Sequence, residues 1–214
     1  MKKFLLLIFM VIAIGVAVGI YRFNFTDDDI YVVQADGNVV PLDTNSNSSV
    51  MLTLFNFHTD KDWDIQVPES EAKAPLTELK EYGDTRFAIG KYHDGEENGV
   101  VSLDYTKITN LNFGSSKNEM FFAAPFAVSN QGSGIFWYLG LFKLDTKTAD
   151  IHQIDTLFLG DRIKIKELKV DEPFDVTSSL YVAYFKHSQK QSFSEAPDEK
   201  VEKRINVSVD GFSK

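Results

Sequence analysis

From residue 30 onward, apolar and polar positions are arranged mostly as a β protein arranges them. Ile30–Gln34 and Val39–Leu42 flank Asp36-Gly37, and Asp-Gly between β-branched runs predicts a hairpin. Thr44–Ser49 is a polar loop, and Val50–Phe57 reads as a strand. Asp64–Val67 is a weaker strand, stopped by Pro68. Pro75–Gly83 reads differently. Leu76, Leu79 and Tyr82 share one face at helical spacing, Pro75 suits a first turn and Gly83 a C-cap, so a short helix is predicted.

From Arg86 the strands resume. Phe87–Tyr92 leads into the turn His93-Asp94-Gly95, and Val100–Tyr105 follows. Met120–Val128 and Ile135–Leu144 are apolar almost throughout, which predicts central strands covered on both faces. The segment between them, Ser129–Gly134, suits a hairpin loop. Ile151–Leu159, Asp161–Val170, Leu180–His187 and Val201–Val209 complete the series. Ile163, Ile165 and Leu168 alternate imperfectly with Lys164, Lys166 and Lys169, which predicts a bulge near Glu167. Gln189–Asp198, polar and containing Pro197, is expected to be a mobile loop. The expected fold is mainly β: antiparallel sheets, sandwich or open-barrel-like, with one or two short helices.

The N-terminus follows another rule. Lys2-Lys3 precedes an apolar run from Phe4 to Ile20, followed by Tyr21-Arg22. Such a run spans roughly 25 Å as a helix, and the lysines hold its start in the cytoplasm. Residues 1–22 are therefore read as an N-terminal transmembrane/signal helix. One form is a signal anchor at the bacterial cytoplasmic membrane, single-pass with the C-terminal domain outside. The other is a signal peptide cleaved near Gly19, since Ala17-Val18-Gly19 offers small residues at a cleavage site. Residues 23–29 form a tether ending in three aspartates, and 30–212 a single extracytoplasmic β-rich domain.

Composition narrows the chemistry. The net charge of −9 becomes −11 once Lys2 and Lys3 are set aside, a surface that repels phosphate backbones, so nucleic acid is not an expected partner. The chain has no cysteine, which excludes disulfides, thiolate catalysis, Cys-type zinc and lipid attachment through cysteine. Its 18 Phe against 2 Trp suit a β core first; exposed rings for ligand stacking are the sharper alternative.

The stretch from about Glu119 to Val209 carries Gly132-Ser133-Gly134, Phe136-Trp137-Tyr138-Leu139, Leu159-Gly160-Asp161-Arg162-Ile163, Tyr181-Val182-Ala183-Tyr184 and Ala196-Pro197. In this order and context it resembles a family of uncharacterised bacterial envelope proteins marked by a Leu-Gly-Asp-Arg strand corner. The resemblance implies an envelope address and a mostly β fold, and no activity.

Candidate chemistry is sparse. At the corner, Gly160 is read as the positive-φ residue, Asp161 as an acceptor of turn N–H groups and Arg162 as a carboxylate fork. The functional alternative makes Arg162, with Lys164 on the same face, an anchor for an anionic ligand. Asp60, Asp62 and Asp64 occupy positions 1, 3 and 5 of a calcium loop with Glu71 at position 12, but Ile65 stands where glycine is needed and Pro68 interrupts. Tyr92–Gly99 reads as a charged hairpin tip whose Glu96 and Glu97 are simply solvated. No catalytic set and no cofactor site is found. The expectation is a non-enzymatic envelope module binding an envelope protein or a cell-wall component. The alternatives are a secreted hydrolase whose carboxylates converge in the fold, and a small-ligand carrier.

Overall fold

The computed structural model describes residues 31–33, 39–41, 63–83, 85–111, 113, 119–145, 147–171 and 179–213. The chain divides into two compact units, Met1–Asn45 and Ser46–Lys214. In the first, β1 (Tyr31–Val33) and β2 (Val39–Pro41) pair antiparallel, as the expected hairpin requires, with Val33 opposite Val39. The N-terminal apolar segment, the tether, Val50–Phe57 and the calcium-loop candidates Asp60 and Asp62 lie outside the described residues. Among those described, no helix is long and apolar enough to cross a membrane.

The second unit is built on strands β3 (Asp64–Gln66), β4 (Lys73–Tyr82), β5 (Thr85–Asp94), β6 (Glu97–Asp104), β7 (Thr109–Leu111), β8 (Glu119–Ser129), β9 (Phe136–Asp145) and β10 (Ile151–Asp161). They form one antiparallel sheet in the order β10-β9-β8-β6-β5-β4-β3, with β7 also along β8. A 3-10 turn, Tyr105–Lys107, separates β6 from β7. It is capped by the buried Asp104, which accepts from Thr106 N at 3.1 Å and pairs with Lys107 Nζ at 3.0 Å. Pro125, which has no N–H to give a ladder, falls where β8 passes from β7 to β6.

The sheet curls until its edge strands meet. At the seam the Gln153 carboxamide of β10 plays the part of a peptide group: its Oε1 accepts from Gln66 N at 3.0 Å, and its Nε2 donates to Gln66 O at 3.3 Å. The result is a nearly closed barrel.

Alternation then sorts the side chains. Phe122, Phe126 and Val128 of β8 and Tyr138 and Phe142 of β9 point inward, where Phe122 and Phe142 stack at 5.2 Å and Trp63 meets both edge-on. Phe121, Ala123, Leu139 and Leu141 point outward into a second core. Both strands are buried on both faces, as their apolar runs predicted.

The second core lies under a four-stranded sheet, β11 (Lys164–Val170), β12 (Ser179–Lys186), β13 (Glu199–Ser208) and β14 (Gly211–Phe212), in sequential order. Leu180, Val182, Tyr184, Ile205 and Val207 face the barrel wall. Tyr184 Oη donates to Leu159 O at 3.1 Å, and Asp155 Oδ2 accepts from Phe212 N at 2.8 Å. The bulge in β11 falls between Ile165 and Glu167, where the lysine alternation slipped.

The predicted helix at Pro75–Gly83 is a strand, β4. The reason is a bulge: Leu76 opposes Gly90 and Glu78 opposes Ile89, so one residue is extra. A bulge turns the i, i+2 period of a strand into i, i+3 at that point. Leu76 and Leu79 are consequently both buried at a spacing that imitates a helix, while Tyr82 is exposed. The 3-10 turn is the only helical element among the described residues.

Candidate site at the barrel mouth

One end of the barrel interior is filled by the rings of Trp63, Phe122 and Phe142. The other end remains open as a cavity of ≈ 490 Å³. It is reached by the inward residues at the ends of five strands: Tyr92 and Asp94 of β5, Glu97 of β6, Val128 of β8, Phe136 and Tyr138 of β9, and Phe158 of β10. The turn after β3, Val67-Pro68-Glu69-Ser70, forms one wall. Phe126 and Tyr138 stack at 5.5 Å beneath the mouth, and Phe158 tilts over Tyr138 at 5.3 Å. Phe158 is 52% exposed and Phe136 36%, high for phenylalanine.

The wall turn is held from several sides. Gln66 Nε2 donates to Ser70 O at 2.8 Å and to Ala72 O at 3.1 Å, and Ser70 Oγ reaches Asp94 Oδ2 at 2.5 Å. Ser70 N bonds Val67 O at 3.3 Å, and Glu69 has φ 61°. Proline followed by a positive φ is the type II pattern, which favours glycine at the second place. A glutamate there costs about 1 kcal/mol of backbone strain, and its side chain lines the cavity. Glu69→Gly is therefore expected to raise stability by about 0.5–1 kcal/mol. A thermal melt that falls instead would show that the glutamate side chain stabilises the turn.

Tyr92 is positioned across the β5–β6 ladder. It lies opposite Gly99, and a Cβ at Gly99 would collide with its ring. Its Oη donates to Glu97 Oε1 at 2.9 Å. Burial pushes the Tyr92 hydroxyl up to about 12, and Glu97 adds to the effect. Burial also raises Tyr138, helped by the negative charge of Glu69. Away from the mouth, burial takes Tyr105 to about 12 against the opposing pull of Arg86. In the unfolded chain a phenol loses its proton near pH 10. Between about pH 10 and pH 12 the unfolded state therefore binds fewer protons, and stability held below pH 10 is lost as pH rises. Urea midpoints should fall across that window, less steeply in Tyr105→Phe. A midpoint independent of pH there would mean that these phenols are solvated.

The residues singled out from sequence lie elsewhere. Gly160 has the positive φ expected of it, 158°, and Arg162 two residues on is also at positive φ, 48°. Asp161 Oδ1 accepts from Ile135 N at 2.9 Å across the hairpin rather than within its own turn. The Arg162 guanidinium pairs with Asp161 Oδ2 at 2.6 Å, bonds Ser133 O and lies 4.6 Å over the Phe193 ring. Its donors are thus engaged in bracing the start of β9, from which Phe136 and Tyr138 project. Lys164 opens β11 and is exposed. Asp64 is the first residue of β3, and no group of three or more potential metal ligands occurs among the described residues. The late loop is organised by its own bonds, His187 Nε2 to Glu195 O at 2.9 Å among them.

The mouth was hidden in the sequence because Asp94 and Glu97 sit at a hairpin tip that reads as solvated. The tip becomes a wall only because the Val67–Ser70 turn folds against it. The one local signal is Phe136 and Tyr138 at i, i+2 near a strand start. Comparison with protein-family models, with curated proteins and with solved structures finds no match.

Proposed function

We propose that this protein is a non-enzymatic binding module of the bacterial cell envelope, held outside the cytoplasmic membrane by its N-terminal apolar segment, and that it takes its ligand at the barrel mouth. The observation that carries the reading is the open ≈ 490 Å³ mouth with Phe136 and Phe158 exposed at its lip, above an interior filled by aromatic rings. Barrel mouths of this size are where small ligands seat. The apolar run after Lys2-Lys3 and the likeness to envelope proteins in the Leu-Gly-Asp-Arg corner support the address.

A hydrolase is the second reading, because Glu69, Asp94 and Glu97 converge on one cavity. All three are exposed, however, and a carboxyl group serving as general acid at neutral pH needs desolvation.

A photo-crosslinking residue in place of Phe158 or Phe136 in living cells should give a discrete adduct. The same residue in place of Phe193, 64% exposed in the late loop, should not. No adduct from either lip position, or equal labelling at all three, would remove the mouth from consideration. Protease added to spheroplasts should digest the domain while a cytoplasmic marker survives; a protected domain would overturn the address.

A further inference from the structure

The lining of the mouth is chemically one-sided. It contains three carboxylates, Glu69, Asp94 and Glu97, and no Lys, Arg or His. Among the described residues none of the three has an ion-pair partner, although charged side chains elsewhere on the barrel pair freely, as Lys80 does with Glu78 and Arg86 with Glu81. Asp94 and Glu97 are oriented by neutral donors, the Ser70 and Tyr92 hydroxyls, which leaves their charge uncancelled. The rest of the lining is uncharged, and four of its residues are aromatic, Tyr92, Phe136, Tyr138 and Phe158. An aromatic face attracts a cation through its quadrupole, and carboxylates around a low-dielectric concavity focus a negative potential into it. An anion would be repelled there, and a neutral ligand would leave the charges unanswered.

We infer, resting on the mouth as the binding site, that its ligand is a small organic cation: an ammonium group carried on an apolar stem. The stem packs on Phe158 and Tyr138, and the ammonium lies between the rings and the carboxylates. The strained Glu69 backbone fits this reading, since glycine would serve the turn better but would remove a charge from the wall.

The test uses the full chain in a maltoside detergent, which carries no ammonium group, and two probes of equal shape. Choline is the cation and 3,3-dimethyl-1-butanol is its neutral isostere. Calorimetry and saturation-transfer NMR should show choline binding about 3- to 10-fold more tightly than the isostere, the gap expected where exposed rings and carboxylates act together on a cation. The affinity should fall about 3- to 10-fold in Glu69→Gln, and fall with added salt, as an attraction between charges does. Equal binding of both probes, lost together in Phe158→Ala, would overturn cation selection while leaving the mouth as the site. Choline binding unchanged in both Glu69→Gln and Phe158→Ala would place the interaction elsewhere and overturn both. Failure of choline to bind would overturn cation selection alone, the mouth itself being judged by the crosslinking experiment.

Discussion

Phe142→Ala is expected to lower the free energy of unfolding by about 3–5 kcal/mol, a large fraction of the about 5–15 kcal/mol that holds a typical domain folded. Phe142 is completely buried, stacks on Phe122 at 5.2 Å and receives the edge of Trp63 at 5.3 Å. Its removal strips two partners at once. Phe142 sits in the middle of the sheet, with β8 on one side and β10 on the other, so the backbone has little freedom to collapse into the space. Residual cavity, rather than lost transfer energy alone, then sets the cost. Urea denaturation measures it, and a loss below about 1.5 kcal/mol would show an interior that repacks readily. Phe158→Ala is the comparison. It removes the same atoms from a half-exposed lip, so it should cost much less stability and act on binding instead.

Gln153→Ala should cost about 2–3 kcal/mol, although it deletes an exchangeable-looking polar residue. The carboxamide supplies both an acceptor and a donor to the backbone of Gln66, at 3.0 and 3.3 Å. Without it, a partly buried N–H and a partly buried C=O at the seam lose their partners together, and each costs more than a neutral hydrogen bond is worth. Gln153→Leu should be no better, since shape is not what is missing. Hydrogen exchange gives the sharper readout. Amides of Asp64–Val67 should exchange faster while those of β12 and β13 stay protected. Because β3 leads directly into the Val67–Ser70 wall, ligand affinity at the mouth should fall with the seam. Uniform loss of protection throughout the unit would mean that the barrel has no separable seam.

These two residues show how unevenly the fold was written in the chain. Phe142 belongs to an apolar run that announces a central strand, and the burial of β8 and β9 on both faces follows from it. Gln153 announces nothing. Its partner is 87 residues away, and a glutamine between a histidine and an isoleucine reads as an ordinary solvated position. The same contrast separates the bulges. In β11 the slipped lysine alternation located the bulge, because the polar face is exposed and its rhythm is visible. In β4 the bulge produced a spacing of three between Leu76 and Leu79, and local pattern alone could not tell it from a helical face.

The sequence by itself determined most of the segments that extend, Pro75–Gly83 excepted, which strands are central, where hairpins turn and that the N-terminal run differs from all the rest. Each of these depends on neighbours within about ten residues, the range over which side-chain period and turn chemistry act. The tertiary structure decided the rest: which face of the long sheet became the inside, that its edges met at Gln66 and Gln153, and that one end stayed open. Alternation assigns residues to a common face but carries no sign for curvature. Curvature comes from twist and from bulges, such as those in β4 and β10. Only when the sheet closes do Glu69, Tyr92, Glu97, Tyr138 and Phe158, spread over ninety residues, come to line a single mouth.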